Sequence, residues 1–182
     1  VNLIDEGVFD EVDVAMMVHP SDRTLVGRGS LGVQELKFDF YGEAAHASSQ
    51  PEEGINALDA VIATFNNVNA LREHIKESSR IHGIITDGGE KPNIVPEHAS
   101  AYFYVRAAEP EDLEELLEKV KNCARAGSLA TGTELEIDEE GHGYQPMQPN
   151  PVLADLVKEN FEALGEEVED YEGGMGSTDM GD

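Results

Sequence analysis

Ala99-Ser100-Ala101-Tyr102-Phe103-Tyr104-Val105-Arg106 is the stretch on which the reading of the chain turns. Ala99, Ala101, Phe103 and Val105 fall on one side of an extended backbone, and Ser100, Tyr102, Tyr104 and Arg106 on the other. That two-residue period is the pattern of a half-buried strand. Working outward, Ile81 to Thr86 reads as a strand closed by the turn-forming Asp87-Gly88-Gly89. Downstream, Pro110 stands where a helix can begin; Leu113, Leu116, Leu117, Val120 and Ala124 form its apolar stripe, and Gly132 can end it. Glu134 to Asp138 supplies a further strand.

Towards the N-terminus, Leu36, Phe38 and Phe40 alternate with Lys37, Asp39 and Tyr41 as in another half-buried strand. After Pro51, the residues Ile55, Leu58, Val61, Ile62, Phe65, Val68, Leu71 and Ile75 recur at helical spacing. Glu52 and Glu53 are expected at the positive end of that helix dipole. The order is therefore βαββαβ, which predicts an α+β, ferredoxin-like domain: a four-stranded antiparallel sheet with both helices on one face. Its other face needs solvent or a partner.

The flanks follow a different pattern. Val12 to Val18 is a short apolar run of the kind found in a buried strand, and Val1 to Pro20 does not have the pattern of a natural start. Gln145 to Pro151 reads as a proline-rich linker. Val152 to Leu164 is a helix with Leu153, Leu156, Val157, Phe161 and Leu164 on one side, followed by a glycine-rich loop from Gly173. The expected division is 1–26 as the end of one segment, 27–144 as a self-contained domain, and 145–182 as a linker and the start of a returning segment.

The 182 residues are 40% hydrophobic, which argues for a folded chain despite its charge. Against 12 Lys+Arg stand 38 Asp+Glu, a formal net charge of -26 spread over nearly every segment. Such a surface disfavours nucleic acid and anionic membranes as partners. It suits high salt, where self-repulsion is screened, and the expectation is a halophilic source. Cys123 is the only cysteine, so neither an intrachain disulfide nor a paired-cysteine zinc site can form, and a cytoplasmic location is expected. No apolar run approaches the length of a membrane span, and no basic-then-apolar signal pattern opens the chain.

Three neighbourhoods hold polar residues in unusual places. His46 follows a strand within Gly42-Glu43-Ala44-Ala45-His46-Ala47-Ser48-Ser49-Gln50-Pro51, among small residues that let another group approach closely. Asn93 is bracketed by prolines in Lys91-Pro92-Asn93-Ile94-Val95-Pro96. Arg106 ends an apolar and aromatic strand and can clamp a carboxylate bidentately. Taken singly, a structural or solvated loop histidine and ordinary turn chemistry are the commoner explanations of His46 and Asn93, and a surface salt bridge is the alternative for Arg106.

Together, GEAAHASSQPEEGINALDA, HGIITDGGEKPNIVPEHASAYFYVRA, AMMVHP and the terminal GMGSTDMGD resemble the metal-dependent aminoacylase and carboxypeptidase family. The likeness is to its amidohydrolase branch, which includes p-aminobenzoyl-glutamate hydrolase and related dipeptidases. It implies that residues 27–144 are a lid, or dimerisation, domain interrupting an α/β catalytic domain that carries two divalent metals, zinc or manganese.

It further implies that His46 reaches the active site of the partner protomer in a homodimer and stabilises the oxyanion, and that Asn93 and Arg106 hold a small amide substrate. His19 matches a metal-ligand position, and Ser177 and Asp179 match an active-site loop. The other metal ligands and the general-base glutamate would lie outside this stretch, so these residues alone are expected to be inactive and to bind no metal stably. The rival expectation is a ferredoxin-like module that dimerises or binds a small molecule without chemistry.

Overall fold

The computed structural model describes residues 4, 6–139 and 143–169. Residues 33–143 form one compact unit; the described parts of 1–32 and 144–182 form a second.

In the first unit, the alternating stretch around Phe103 becomes β3 (His98–Ala107), with β1 (Gly32–Tyr41), β2 (Arg80–Asp87) and β4 (Glu134–Asp138) beside it. The sheet is antiparallel with order β2-β3-β1-β4, as the βαββαβ reading requires. Registers put Phe38 opposite Ile137 and Phe40 opposite Leu135, and Ile81 opposite Val105. Because side chains alternate across a strand, this register gathers the large apolar residues of the core onto one face.

Helices α1 (Ala57–Leu71) and α2 (Pro110–Thr131) cover that face. Phe38, Phe40 and Phe103 are fully buried there with Val61 and Val68 of α1 and Val120 of α2. The Phe103 ring lies 5.7 Å from Phe38 and 4.8 Å from Phe65, both tilted, an arrangement that suits the ring quadrupoles. Gly83 makes room for it, since a Cβ there would overlap the ring.

The first helix starts later than its periodicity suggests. Pro51–Glu53 is a separate 3₁₀ turn, and α1 begins after Asn56, whose side chain accepts hydrogen bonds from the Leu58 and Asp59 amides. Asparagine satisfies orphan amides that a carboxylate several residues earlier cannot reach. Glu52 and Glu53 therefore precede the helix, and Ile55 and Ile75 lie outside it. Helix α2 opens on Pro110 and closes on Gly132 in the left-handed region, φ 78°, whose amide donates to Ser128 O.

In the second unit, α3 (Pro151–Ala163) is capped by Asn150, which accepts from the Val152 and Leu153 amides. Ser30 and Met147 exchange backbone hydrogen bonds, and Leu25 bridges Glu169. The expected strand over Val12 to Val18 is irregular chain instead, with Val18 at 92% exposure. A strand needs a neighbour for its amides and carbonyls, and the described residues offer this run none.

Helices α1 and α2 touch at Gly127, where a Cβ would meet Ala60 O at 2.7 Å and Thr64 Oγ1 at 2.8 Å. Gly127→Val should destabilise the fold by about 1–3 kcal/mol through overpacking, read as a lower urea midpoint at unchanged m. An unchanged midpoint would show that the helices do not depend on this approach.

Candidate functional site

Two loops leave the same end of the sheet, 42–56 after β1 and 88–97 before β3, and their backbones hold each other. Gly42 N donates to Glu97 O at 2.8 Å, Val95 N to Ala45 O at 2.9 Å, and Ala47 N to Asn93 O at 3.0 Å. Ala57 N, the first amide of α1, donates to Pro96 O at 2.9 Å, and His46 pairs with Ile94 in an isolated antiparallel bridge. Such close contact demands small residues. A Cβ on Gly42 would collide with Ile55 O, and one on Gly54 would meet Ala45 Cβ and Val95 Cγ1 at 3.0 Å.

The fold thus brings His46 and Asn93, far apart in sequence, next to one another on exposed backbone. His46 Nδ1 lies 3.3 Å from the Ser48 amide and 3.2 Å from Ser48 Oγ. An amide can only donate, so Nδ1 is the acceptor and Nε2 carries the proton in the neutral ring. His46 accordingly offers a hydrogen-bond donor to whatever stands before it.

Arg106 is elsewhere. It lies near the opposite end of β3 from His98, where the 88–97 loop joins the strand; eight residues of strand correspond to roughly 26 Å. There it faces Arg80 across the β2–β3 ladder and stands over the Tyr104 ring, 5.8 Å from its centroid. The neighbouring His82 is held below its ordinary value by burial and then by the charges of Arg106, Arg72 and Arg80. In a chain of net charge -26, this sheet end is locally cationic and suited to an anion.

The sheet face away from the helices also carries Tyr102, packed edge-on against Tyr104 at 5.3 Å. Burial, then hydrogen bonds to Glu35 and Tyr104, push its hydroxyl well up, so it stays protonated. Arg80 and His82 were not legible as partners of Arg106, because only the hairpin register sets them together. The ionic cluster of Asp39, Asp87 and His98 is equally silent in the sequence, since each residue comes from a different strand.

His19 lies on the exposed segment of the second unit, its Nδ1–H donating to Pro20 O at 2.9 Å, which leaves the lone pair of the neutral ring on Nε2. Among the described residues, no group of three or more His, Cys, Asp or Glu side chains is placed to hold a metal ion. One histidine does not make a metal centre, so the two-metal site implied by the sequence resemblance is not formed by the described residues. Ser177 and Asp179 lie outside them. No described helix is long and apolar enough to cross a membrane.

This frame, an open-faced sheet with paired loops at one end, is that of a dimerisation domain. The peptidase dimerisation domain model of the M20 family matches residues 28–131, and the chain belongs to that family of metallopeptidases and amidohydrolases. It is 39% identical to the Xaa-Arg dipeptidase of Mus musculus over 185 residues, covering 100% of this chain and 43% of that protein.

Against a component of the p-aminobenzoyl-glutamate hydrolase of Escherichia coli K12, identity is 36% over 148 residues, covering 79% of this chain and 31% of that one. The aminobenzoyl-glutamate utilization protein of Klebsiella pneumoniae superposes with a TM-score of 0.75 at 22% identity, over 98% of this chain and 47% of that structure. The chain therefore spans less than half the length of these relatives.

Because Gly54 lets the two loops meet, Gly54→Val should push them apart. The expected cost is about 1–3 kcal/mol in unfolding free energy, with amide NMR shift changes concentrated at Ala47, Ile94 and Val95. Changes confined to Gly54's sequence neighbours would count against the loop pairing.

Proposed function

We propose that this chain is the lid-containing part of a metal-dependent hydrolase that cleaves the amide bond of a small N-acyl amino acid, an aminobenzoyl-glutamate-like compound or a dipeptide. In this reading residues 27–144 are the lid, while 1–26 and 145–182 belong to the catalytic domain. The observation that carries it is the bridge between His46 and Ile94, which sets a donor imidazole beside Asn93 at one end of an otherwise structural sheet. Family membership supplies the reaction class.

Water attacking an amide carbonyl places negative charge on the carbonyl oxygen, and a preorganised N–H donor lowers that barrier. His46 Nε2–H is such a donor. Asn93 beside it can hold a polar group of the same substrate, and Arg106 can clamp a carboxylate. Two divalent ions, zinc or manganese, would supply Lewis acidity when bound. Their ligands would come mainly from outside the described residues, with His19 contributing one.

The roughly 26 Å of strand between Arg106 and the loop root favours a site completed across a homodimer, in which one protomer gives Arg106 and its partner gives His46 and Asn93. Within this reading the enzyme is cytoplasmic, in keeping with the single cysteine of these 182 residues, adapted to high salt, and without nucleic-acid or membrane partners.

In the intact enzyme, His46→Ala should lower kcat on the order of 10²- to 10³-fold, and Arg106→Ala should chiefly raise KM. Mixing the two impaired homodimers under exchange should recover about a quarter of wild-type activity, because half the dimers are then mixed and each has one site free of both changes. No recovery despite demonstrated exchange of protomers would assign Arg106 and His46 to the same chain's site. Wild-type kcat/KM in His46→Ala would end the catalytic reading.

Self-association should strengthen with salt, since screening removes repulsion between two strongly acidic chains. Sedimentation velocity should show a larger dimer fraction in molar KCl than in dilute buffer. A monomer throughout, at high protein concentration, would overturn it.

A further inference from the structure

His98 stands first in β3, on the sheet face away from the helices, at the root of both loops. Its Nδ1 lies 2.9 Å from Asp87 Oδ2 and its Nε2 3.0 Å from Asp39 Oδ1. Ionised carboxylates only accept, so satisfying both requires a proton on each ring nitrogen: the side chain is an imidazolium. It joins β1, β2 and β3 through one ring.

The two aspartates support that charge state, while Lys37, a like charge on the same Asp39, opposes it. From β1, Asp39 also receives Lys37 Nζ at 2.8 Å, and the Tyr41 ring packs against the imidazole at 5.2 Å. Tyr41 in turn donates to Glu136 of β4 at 3.3 Å. From the end of β2, the other oxygen of Asp87 accepts the Gly89 amide at 3.0 Å. The β2–β3 register shifts between Ile85 and Asp87, beyond which Asp87 pairs with Ser100, so the shift falls beside the cluster. Burial pushes the His98 imidazole down, but hydrogen bonds to Asp87 and Asp39 outweigh it and hold it above the ordinary histidine value.

We propose that His98 is a positioning residue: its imidazolium clamps Asp39 to Asp87, fixes the start of the 88–97 loop against the 42–56 loop, and so aligns Asn93 with His46. The proposal rests on the reading of His46 and Asn93 as site residues. A neutral ring has a single N–H and serves only one aspartate; the other then faces a lone pair and is repelled. Alignment of the loops thereby becomes dependent on the charge of His98.

The direction in pH follows from linkage. A histidine raised in the folded state contributes stability that is fully present below about 6.5 and is lost as pH rises through the folded value. Asp39 is pushed up by burial but held low overall by its bonds to Lys37 and His98, and Asp87 is held low by the Gly89 amide and His98. Their contribution is present above about 3.9 and is lost as pH falls through their folded values. The clamp is complete between those two limits.

The test has a structural arm in the full chain and a kinetic arm in the intact enzyme. By NMR the His98 ring should titrate above an ordinary histidine, and Asp87→Asn and Asp39→Asn should each lower it. Hydrogen exchange at Ala47 and Val95, whose amides cross between the loops, should rise about tenfold in His98→Gln. In the wild type it should rise similarly above the His98 titration, after correction for the intrinsic base-catalysed rate. In the enzyme, the alkaline limb of kcat should move to lower pH in Asp87→Asn. Unchanged exchange at both amides in His98→Gln and Asp87→Asn would overturn the clamp. If exchange responds as expected while His46→Ala keeps full activity, the clamp stands and the catalytic reading of the loops fails.

Discussion

Phe103 is the point from which the dimerisation domain is built. It lies on a central strand, touches Phe38 on the neighbouring strand and Phe65 on the first helix, and passes over Gly83 on the edge strand. One ring thus sets the spacing of three strands and the height at which a helix rests on them. Interiors are packed to near-crystal density, so a displacement at that ring is passed on rather than absorbed. The core side chains of the sheet all point one way, and that leaves the opposite face available for polar chemistry. His98, Tyr102, Tyr104 and Arg106 occupy it by the same alternation that buries Ala99, Ala101, Phe103 and Val105.

That alternation is legible in the sequence, and with it the strand and helix order and the one-sided core. Pro110 and Gly132 mark the second helix correctly, because each acts through its own backbone: proline lacks an amide that the first turn does not need, and glycine tolerates φ 78°. The start of the first helix is not legible in the same way, because apolar spacing continues back to Ile55 while the cap is set by Asn56. Periodicity reports the face that is buried, not where the hydrogen-bond ladder begins. Val12 to Val18 shows the converse. Its composition suits a strand, but pairing is a property of two segments, and only one is at hand among the described residues.

The candidate site divides along the same line. His46 and Asn93 stand out individually through the small residues and prolines around them, yet their adjacency depends on hydrogen bonds between loops separated by a helix and a strand. Arg106 is visible as the polar end of an apolar strand, whereas the cationic neighbourhood that includes Arg80 and His82 arises from the hairpin register. His98 cannot be singled out from sequence at all, since its two aspartates come from other strands.

The acidic excess bears on how these parts are held together. Cations are few in the chain, and two lysines of the dimerisation domain pair with carboxylates on separate elements: Lys76 joins the segment after the first helix to Asp112, and Lys121, buried on α2, joins Glu139 beyond β4. An exposed pair such as that of Lys76 contributes about 0–1 kcal/mol and weakens in salt. Salt therefore acts in opposite directions on the molecule, relieving repulsion among the surplus carboxylates while loosening exposed pairs that cross between elements. The Asp39 arm of the His98 cluster, whose carboxylate is largely buried, is less screened than such surface pairs. In the proposed clamp the alignment of His46 and Asn93 rests on that interaction and on the backbone hydrogen bonds between the loops, rather than on exposed lysines.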